Sequence, residues 1–194
     1  MAPEPSPPFI HPTADVSAAA VVGAGTQVWR FSHIREGAVV GAGCIIGQGV
    51  YVDSEVVIGS HCKLENGVSV HRPAVVEDGV FLGPGVVLTN DRYPRAVHPD
   101  GTVKDAAGWT AEGVTIRRGA AVGASSVVLP GVVVGRWAMV GAGSVVTADV
   151  ADHGLVVGNP ARLIGYVCAC GRRLPDDPAA APRRCPSCGR VSAG

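Results

Sequence analysis

Large aromatic side chains are scarce in this chain, because Phe, Trp and Tyr together make up only 5% of its 194 residues. An excess of charge is also missing, since Lys+Arg and Asp+Glu both number 16. Hydrophobic residues reach 47%, yet none of their runs approaches the roughly 18–20 residues that a membrane-spanning helix needs. We therefore expect neither nucleic acid nor a membrane as a partner.

The N-terminus shows no secretory signal, since no basic stretch followed by an apolar run opens the chain. Its first residues, MAPEPSPP, are rich in proline, which predicts a disordered tail over residues 1–9. A chain without such a signal is expected to stay in the cytoplasm.

Aliphatic residues, by contrast, recur with a fixed period of six. Every sixth residue of the first half follows this rule, in the order Ile10, Val16, Val22, Val28, Ile34, Val40, Ile46, Val52, Ile58, Leu64, Val70, Val76, Leu82 and Leu88. Neither the helical period of 3.6 nor the alternation of a simple strand fits such a run. The fold is therefore built from an internal repeat.

Each six-residue unit has a second small or β-branched position four residues after the aliphatic one, as Ala38 follows Ile34. Glycine-rich turns such as VGAG at 40–43 and LGPG at 82–85 separate the units. Three units make one triangular coil of about 18 residues, and stacked coils form a parallel β-helix. The sequence predicts an all-β fold of this kind over residues 10–165.

The period of six breaks after Leu88 and resumes in a new phase at Ile116. The segment between them, TNDRYPRAVHPDGTVKDAAGWTAEG at 89–113, is polar and lacks the repeat. We predict that it leaves the β-helix as an extended loop. Long loops on rigid scaffolds are commonly functional, so this loop is expected to contribute to an active site.

Four of the six cysteines form two pairs near the C-terminus, each followed by glycine: Cys168, Cys170, Cys185 and Cys188. Four thiolates with this spacing predict a structural zinc site in a small zinc-ribbon-like module over residues 166–194. Two disulfides are the alternative, which a cytoplasmic location disfavours. The remaining cysteines, Cys44 and Cys62, fall at small inward positions, where thiols pack as apolar groups.

The repeat, the mid-chain loop and a closing GNPAR at 158–162 resemble the left-handed β-helix acyltransferases. Two segments, at 27–52 and 63–96, are similar to bacterial 3-N-acetyltransferases of nucleotide-linked 3-amino sugars. The motifs that carry this likeness are VWxFxHI, which begins at Val28, and TND-x-x-PRA, which begins at Thr89. The resemblance covers about residues 10–165.

This resemblance implies a left-handed β-helix and a homotrimer whose active sites lie between subunits. It further implies transfer of an acetyl group from acetyl-CoA to an amino group, expected at the 3-position, of a nucleotide-linked amino-deoxy sugar. His71 stands where relatives carry Tyr, and VHPDG at 97–101 replaces a basic stretch. These departures leave the sugar open and make a neutral deoxy-amino sugar at least as good a candidate as a uronic acid.

The same resemblance places Asn90 beside the reacting amine, where its carboxamide can orient the nucleophile by accepting a hydrogen bond. His33, in the VWxFxHI motif, is the candidate for a general base or a sugar contact, or else caps a turn. Trp29 is expected to point outward and to stack on a base or on another subunit. The further expected substrate contacts are Glu65, Asn66, Asp91 and Arg95.

Two glycine-rich corners of the later coils offer backbone donors and little bulk to the pantetheine arm of the coenzyme. The expected coenzyme contacts there are Gly123, Ala124, Ser125, Gly141 and Ala142, while Arg162 would meet a coenzyme phosphate. Small corner residues also serve the fold in every coil, so this assignment has low specificity.

Three other functions fit the same scaffold less well. An O-acetyltransferase would normally use a histidine base close to the hydroxyl, and His33 keeps that option open. A non-catalytic scaffold is disfavoured by the intact TND-x-x-PRA motif. A γ-type carbonic anhydrase needs three histidines around zinc, and no suitably spaced pair occurs in this sequence.

Overall fold

The computed structural model describes residues 6–105, 108–175 and 183–192. Every regular element within these ranges is a β-strand. No helix in this part of the chain is long and apolar enough to cross a membrane. The predicted all-β class is therefore confirmed.

Short strands recur every six residues from the beginning of the described chain, and longer ones appear only near its end. The strands are β1 (Phe9–Ile10), β2 (Asp15–Val16), β3 (Val21–Val22), β4 (Gln27–Val28), β5 (His33–Ile34), β6 (Val39–Val40), β7 (Ile45–Ile46), β8 (Tyr51–Val52), β9 (Val57–Ile58), β10 (Lys63–Leu64), β11 (Ser69–Val70), β12 (Val75–Val76), β13 (Phe81–Leu82), β14 (Val87–Leu88), β15 (Thr115–Ile116), β16 (Ala121–Val122), β17 (Val127–Val128), β18 (Val133–Val134), β19 (Met139–Val140), β20 (Val145–Val146), β21 (Gly154–Val157), β22 (Arg162–Tyr166), β23 (Arg183–Arg184) and β24 (Val191–Ser192).

Three sheets, which are the faces of a triangular prism, contain the strands β1 to β22, while β23 and β24 pair antiparallel in a separate sheet. Face A has the order β1-β4-β7-β10-β13-β16-β19-β21-β22, face B the order β2-β5-β8-β11-β14-β17-β20, and face C the order β18-β15-β12-β9-β6-β3. Before the loop, paired residues on one face are 18 positions apart, as Phe9 pairs with Gln27 in parallel register. This register confirms the predicted coil of three six-residue units.

Three edges join the faces, and we name each by the faces that it connects. The A–B corner contains residues 29–32, 47–50, 65–68, 83–86, 123–126 and 141–144. The B–C corner contains residues 35–38, 53–56, 71–74, the loop 89–114 and residues 129–132, and the C–A corner completes each coil.

The second residue of each short strand points into the prism and forms the core. Every sixth residue from Val28 to Leu88, and again from Ile116 to Val146, is at most 1% exposed. Polar inward residues are few and are satisfied internally, since the Ser32 hydroxyl donates to the Gly47 carbonyl at 2.7 Å. The core is therefore a set of aliphatic ladders, which explains why the chain needs so few aromatic residues.

The first coil departs from the predicted burial. Ile10 is 41% exposed, and Val16 and Val22 are only half-buried, because a terminal coil has a neighbour on one side only. The β-helix also begins before the expected boundary at residue 10, since β1 starts at Phe9. The Gly25 N–H donates to the Ser6 carbonyl at 2.7 Å, which ties the described part of the predicted tail to the first coil.

The loop interrupts the prism without disturbing its register. Val75 pairs with Thr115 across 40 positions, where uninterrupted coils pair across 18, so 40 − 18 = 22 residues are inserted. The Glu112 N–H donates to the Asn90 carbonyl at 2.9 Å and closes the base of the loop. The loop is therefore an excursion from one corner of a continuous stack.

After the last coil, β22 turns back and pairs antiparallel with β21 at the end of face A. His153 joins the following segment to the prism, because its Nδ1 atom lies 2.9 Å from the Val167 carbonyl and its own carbonyl accepts the Val167 N–H at 2.8 Å. The C-terminal cysteines therefore follow a segment that is attached to the last coil.

Candidate functional site

Asn90 lies at the B–C corner, where the loop leaves the prism. Its Nδ2 atom donates to the Arg72 carbonyl at 2.7 Å, one coil below, and its main chain is held by the bond from Glu112. No described residue donates a hydrogen bond to Asn90 Oδ1. The carboxamide is therefore held by its nitrogen, while its oxygen remains available to accept a hydrogen bond from a ligand.

Two more predicted residues, Asp91 and Arg95, line a cleft of about 360 Å³ within the loop. Lys104 and Trp109 line it as well. Asp91 Oδ1 accepts the Tyr93 N–H at 2.9 Å, and the Arg95 guanidinium donates to the neighbouring Pro94 carbonyl at 2.8 Å. The structure thus brings Asp91 and Arg95 together in one cleft, and both are close to Asn90 in sequence.

A second group of predicted residues, Trp29, Glu65 and Asn66, lies at the A–B corner. All three line one groove of about 380 Å³. The Trp29 ring is 41% exposed and tilts against Phe9, with ring centroids 5.7 Å apart. Trp29 therefore points outward, as its position after an inward valine predicts.

Glu65 and Asn66, the two polar residues that were predicted here, also have partners within the chain. The Glu65 carboxylate lies 2.8 Å from Lys63 Nζ. Asn66 Oδ1 accepts the Gln48 N–H from the coil below at 2.9 Å, and Asp78 Oδ1 accepts the Ser60 N–H in the same way. Capping of the coil below is thus a recurrent corner contact, and it already engages Asn66 Oδ1.

His33 lies on the outer surface of face B, between these two corners. Its Nε2 atom is 3.8 Å from the Asp15 carboxylate, and its ring meets the Tyr51 ring edge-on at 5.6 Å. The Asn90 carboxamide is held by Arg72 rather than by this histidine. His33 is thus exposed, and it forms no hydrogen bond or ion pair with the loop residues that the structure describes.

The five corner residues predicted to meet the coenzyme lie on the A–B corner, in later coils of the edge that carries the Trp29 groove. The N–H groups of Gly123 and Gly141 donate to Val140 and Val156 of the next coil at 2.8 Å. Ser125 N–H donates to Pro84 at 2.8 Å. The N–H groups of the other two, Ala124 and Ala142, find no acceptor among the described residues.

Close stacking explains the glycines at this edge. A Cβ atom on Gly123 would lie 2.5 Å from the Ala142 nitrogen, so any side chain there would push the coils apart. Glycine at these positions is thus required by the fold itself.

Arg162, the residue expected to meet a coenzyme phosphate, begins β22 at the end of face A. It is exposed and donates to the Ala161 carbonyl at 3.0 Å.

A buried carboxylate that the sequence did not reveal, Asp53, lies at the B–C corner near Asn90. It is 7% exposed and is contacted by the Arg35 guanidinium at 2.9 Å and the Tyr51 hydroxyl at 3.0 Å. Burial alone would raise the pKa of Asp53, but N–H donors from Ser54 and Arg72, the Tyr51 hydroxyl and the Arg35 charge lower it below its ordinary value. The carboxylate is therefore ionised at neutral pH.

The four C-terminal cysteines form a cluster whose sulfur atoms all lie within 4.8 Å of one another: Cys168, Cys170, Cys185 and Cys188. Two are buried and two are exposed. N–H groups of Cys188 and Ser187 point at the Cys185 sulfur and lower the pKa of Cys185 to about 7. Although the Cys170 N–H lowers it, burial and the neighbouring sulfurs raise the pKa of Cys168 to about 11. The grouping of four sulfurs is what could hold a metal ion, which thiolates bind.

Comparison with known proteins gives the family. The model for bacterial transferase hexapeptide (six repeats) matches residues 19–54, 55–90 and 113–148, which is more than half of the chain. The first two segments are contiguous and cover coils before the loop, the third covers coils after it, and the gap between residues 90 and 113 falls within the loop. The match therefore follows the architecture of the structure.

Among characterised proteins, this chain is 40% identical over 59 residues to dTDP-3-amino-3,6-dideoxy-alpha-D-galactopyranose 3-N-acetyltransferase from Aneurinibacillus thermoaerophilus. That match covers 30% of this chain and 31% of the relative.

Two solved structures share the fold. A hexapeptide-repeat-containing acetyltransferase from Vibrio cholerae is 23% identical, with a TM-score of 0.56 over 68% of this chain and 72% of its own. The acetyltransferase domain of PglB from Neisseria gonorrhoeae is 24% identical, with a TM-score of 0.51 over 82% of this chain and 58% of its own. The family match, together with the repeat in the sequence and the stacked coils, shows that the chain belongs to the bacterial transferase hexapeptide family.

Proposed function

We propose that this protein transfers an acetyl group from acetyl-CoA to the amino group of a nucleotide-linked amino-deoxy sugar, at the 3-position. The observation that carries the proposal is the Asn90 carboxamide at the base of the loop. Its Nδ2 is fixed at 2.7 Å from the Arg72 carbonyl, and its Oδ1 accepts no hydrogen bond from the described residues. An acceptor in this position suits an amine nucleophile, which has N–H groups to donate.

In the reaction, the neutral amine attacks the thioester carbonyl while one of its N–H groups donates to Asn90 Oδ1. A C–N bond forms, the C–S bond breaks, and the proton released by the amine passes to the departing sulfur, directly or through water. Negative charge develops on the thioester oxygen and needs a fixed donor. We infer that the N–H groups of Ala124 and Ala142, which have no acceptor among the described residues, supply such donors at the coenzyme edge.

One relative supports the proposed sugar and the transfer of an acetyl group to it. The Aneurinibacillus protein acts on a nucleotide-linked 3-amino sugar at its 3-amino group, as its name states. The Neisseria and Vibrio structures were determined with acetyl coenzyme A, although at their level of identity they support the fold alone.

The two groups of site residues lie on different edges of one prism, which favours a homotrimer. Trp29, Glu65 and the expected coenzyme contacts occupy the A–B corner, whereas Asn90, Asp91 and Arg95 occupy the B–C corner and its loop. In a ring of three prisms, the loop of one subunit meets the A–B corner of the next, and each site is then completed by two chains.

Charge in the loop cleft bears on the choice of sugar. Arg95 and Lys104 line the cleft, and two carboxylates, Asp91 and Asp105, line it as well. Equal numbers of opposite charges provide no excess of cations for a uronic acid. A neutral deoxy-amino sugar is therefore the substrate that we propose.

Turnover of a substrate panel tests this function. Purified protein is incubated with acetyl-CoA and nucleotide-linked sugars that carry either an amino or a hydroxyl group at the 3-position, and free thiol is followed. We expect thiol release with the amino sugars, and release with the hydroxyl sugar alone would indicate O-acetylation instead.

Asn90→Ala should lower turnover by about 10²-fold or more, by analogy with lost transition-state contacts. Thr102→Ala, at the loop tip, is the matched control.

We also propose that the four clustered cysteines bind one structural zinc ion. Cys168 and Cys188 have sulfurs 3.6 Å apart, and those of Cys170 and Cys185 are 3.7 Å apart. Four sulfurs at about 2.3 Å from a tetrahedral zinc would be about 3.8 Å apart, whereas a disulfide requires about 2.0 Å. Four protein ligands leave no open position, so this ion would stabilise the module rather than catalyse.

Metal analysis tests the zinc proposal. Protein purified without chelator should contain about one zinc per chain, and cobalt substitution should give the visible absorption of tetrahedral thiolate coordination. Cys185→Ser should abolish both signals, whereas Cys62→Ala, in the prism interior, should leave both intact. Less than about half a zinc per chain in the wild-type protein would refute the proposal.

A further inference from the structure

Asp53 and Glu77 differ from the corner side chains that cap the coil below, because each accepts an N–H group from the coil above. Asn66 and Asp78 each accept an N–H group from the coil below, at Gln48 and Ser60. Asp53 Oδ2 instead accepts the Arg72 N–H from the coil above, at 3.3 Å, while Oδ1 accepts the Ser54 N–H of its own coil at 2.8 Å. Asp53 therefore reaches toward the coil that lies directly beneath the loop.

Arg72 connects this carboxylate to the Asn90 side chain. Its N–H group is bound by Asp53, and its carbonyl accepts the hydrogen bond from Asn90 Nδ2. The main chain of one residue is thus fixed on one side by a buried charge and on the other side by the proposed amine-orienting group. A shift of Arg72 would move the Asn90 carboxamide with it.

Side chains hold the carboxylate itself in place. The Arg35 guanidinium and the Tyr51 hydroxyl both donate to Oδ1, at 2.9 Å and 3.0 Å. His71 Nδ1 lies 4.0 Å from Oδ2. With these donors the buried charge is paired and has little rotational freedom, so it can act as a rigid support.

We propose that Asp53 is a positioning residue for acetyl transfer, which sets the orientation of the Asn90 carboxamide through the main chain of Arg72. This inference rests on the proposed function of Asn90. Asp53 does not touch the substrate, and its effect is expected on the rate of the chemical step rather than on coenzyme binding. Small displacements of an orienting group can cost large factors in rate, because reactive geometry is narrow.

The test compares Asp53→Asn with Asp78→Asn. The two substitutions are chemically identical, and both residues accept a main-chain N–H at 2.8 Å through Oδ1, but Asp78 lies at the C–A corner. We expect Asp53→Asn to lower kcat about tenfold, with the KM for acetyl-CoA changed less than about twofold. Asp78→Asn should leave kcat within about twofold of the wild type. A normal kcat in Asp53→Asn overturns the proposal.

A double variant separates positioning from a general loss of structure. If Asp53 acts through Asn90, adding Asp53→Asn to Asn90→Ala should lower kcat no further, because the oriented group is already absent. Multiplication of the two effects would instead show that Asp53 acts independently, and would overturn the proposal. Where Asp53→Asn fails to fold, Tyr51→Phe removes one hydrogen bond from the same carboxylate and should lower kcat about threefold. An unchanged kcat in that folded variant contradicts the inference.

The outcomes also distinguish this inference from the proposed function. A wild-type protein without acetyl-transfer activity would refute the proposed function itself. A wild-type protein that is active, that loses its activity in Asn90→Ala, and that keeps it in Asp53→Asn would refute only the role of Asp53.

Discussion

Two defective variants of this protein should restore each other's activity when they assemble into one trimer. One variant, Trp29→Ala with Glu65→Ala, removes outward groups from the A–B corner. The other, Asn90→Ala, removes the carboxamide at the base of the loop. Because these groups lie on different edges of one prism, a site shared between subunits would take one group from each of two chains.

The expected recovery follows from the geometry of a closed ring. Each of its three sites pairs the A–B corner of one subunit with the loop of the next. Any ring that contains both variants, in either ratio, has one position where an intact corner precedes an intact loop. Mixed trimers should therefore show about one third of the wild-type turnover per trimer, whereas each variant alone should stay at about 1%.

Co-expression of the two variants with different affinity tags, followed by purification on both tags, isolates the mixed trimers. Acetyl transfer is then measured as free thiol released from acetyl-CoA. Wild-type chains carrying the same two tags are the control for purification. Mixed trimers that assemble but remain as inactive as the separate variants would show that one chain supplies the whole site, and the reasoning from the two corners would be refuted.

Two further predictions concern stability. Ile58→Ala should lower the free energy of unfolding by about 2–5 kcal/mol, whereas Ile10→Ala should lower it by less than about 1 kcal/mol, because Ile58 is 1% exposed and Ile10 is 41% exposed. Denaturant titration at one fixed protein concentration measures both changes. Equal changes would contradict the stacked-coil core. Because folding lowers the pKa of Asp53 from its ordinary value of 3.8, ionised Asp53 stabilises the fold at pH values above 3.8. The Tm of the wild type should therefore exceed that of Asp53→Asn at pH 6, and the difference should shrink as the pH falls to about 3. A constant difference in calorimetric scans would show that the charge of Asp53 does not stabilise the fold.

Much of the architecture could be predicted because the repeat is local. An aliphatic residue at every sixth position and a small residue four places later suffice to define a coil, and Ile34 and Ala38 are both fully buried as the pattern requires. The end of the stack could not be predicted in this way. Ile10 obeys the same pattern as Ile58 but lacks a covering coil, and the sequence alone does not contain that difference.

The candidate site was predicted less completely. The likeness of the loop motif to known enzymes identified Asn90, and the structure adds the hydrogen bond that fixes its carboxamide. Asn66 stays a predicted ligand contact, and the structure adds that its carbonyl oxygen caps the coil below. Asp53 went unnoticed, because nothing in its immediate sequence distinguishes it from other corner carboxylates.

The sequence by itself determined the coil, its length, the interruption by a loop and the grouping of four cysteines, since each of these depends on spacing along the chain. Only the tertiary structure decided which residues meet across coils. Asp53 and Arg72 are 19 positions apart, and Arg72 and Asn90 are 18 apart, yet they form one hydrogen-bonded series. Such contacts arise from the stacking of one coil on the next, and stacking brings together residues whose types the repeat leaves free.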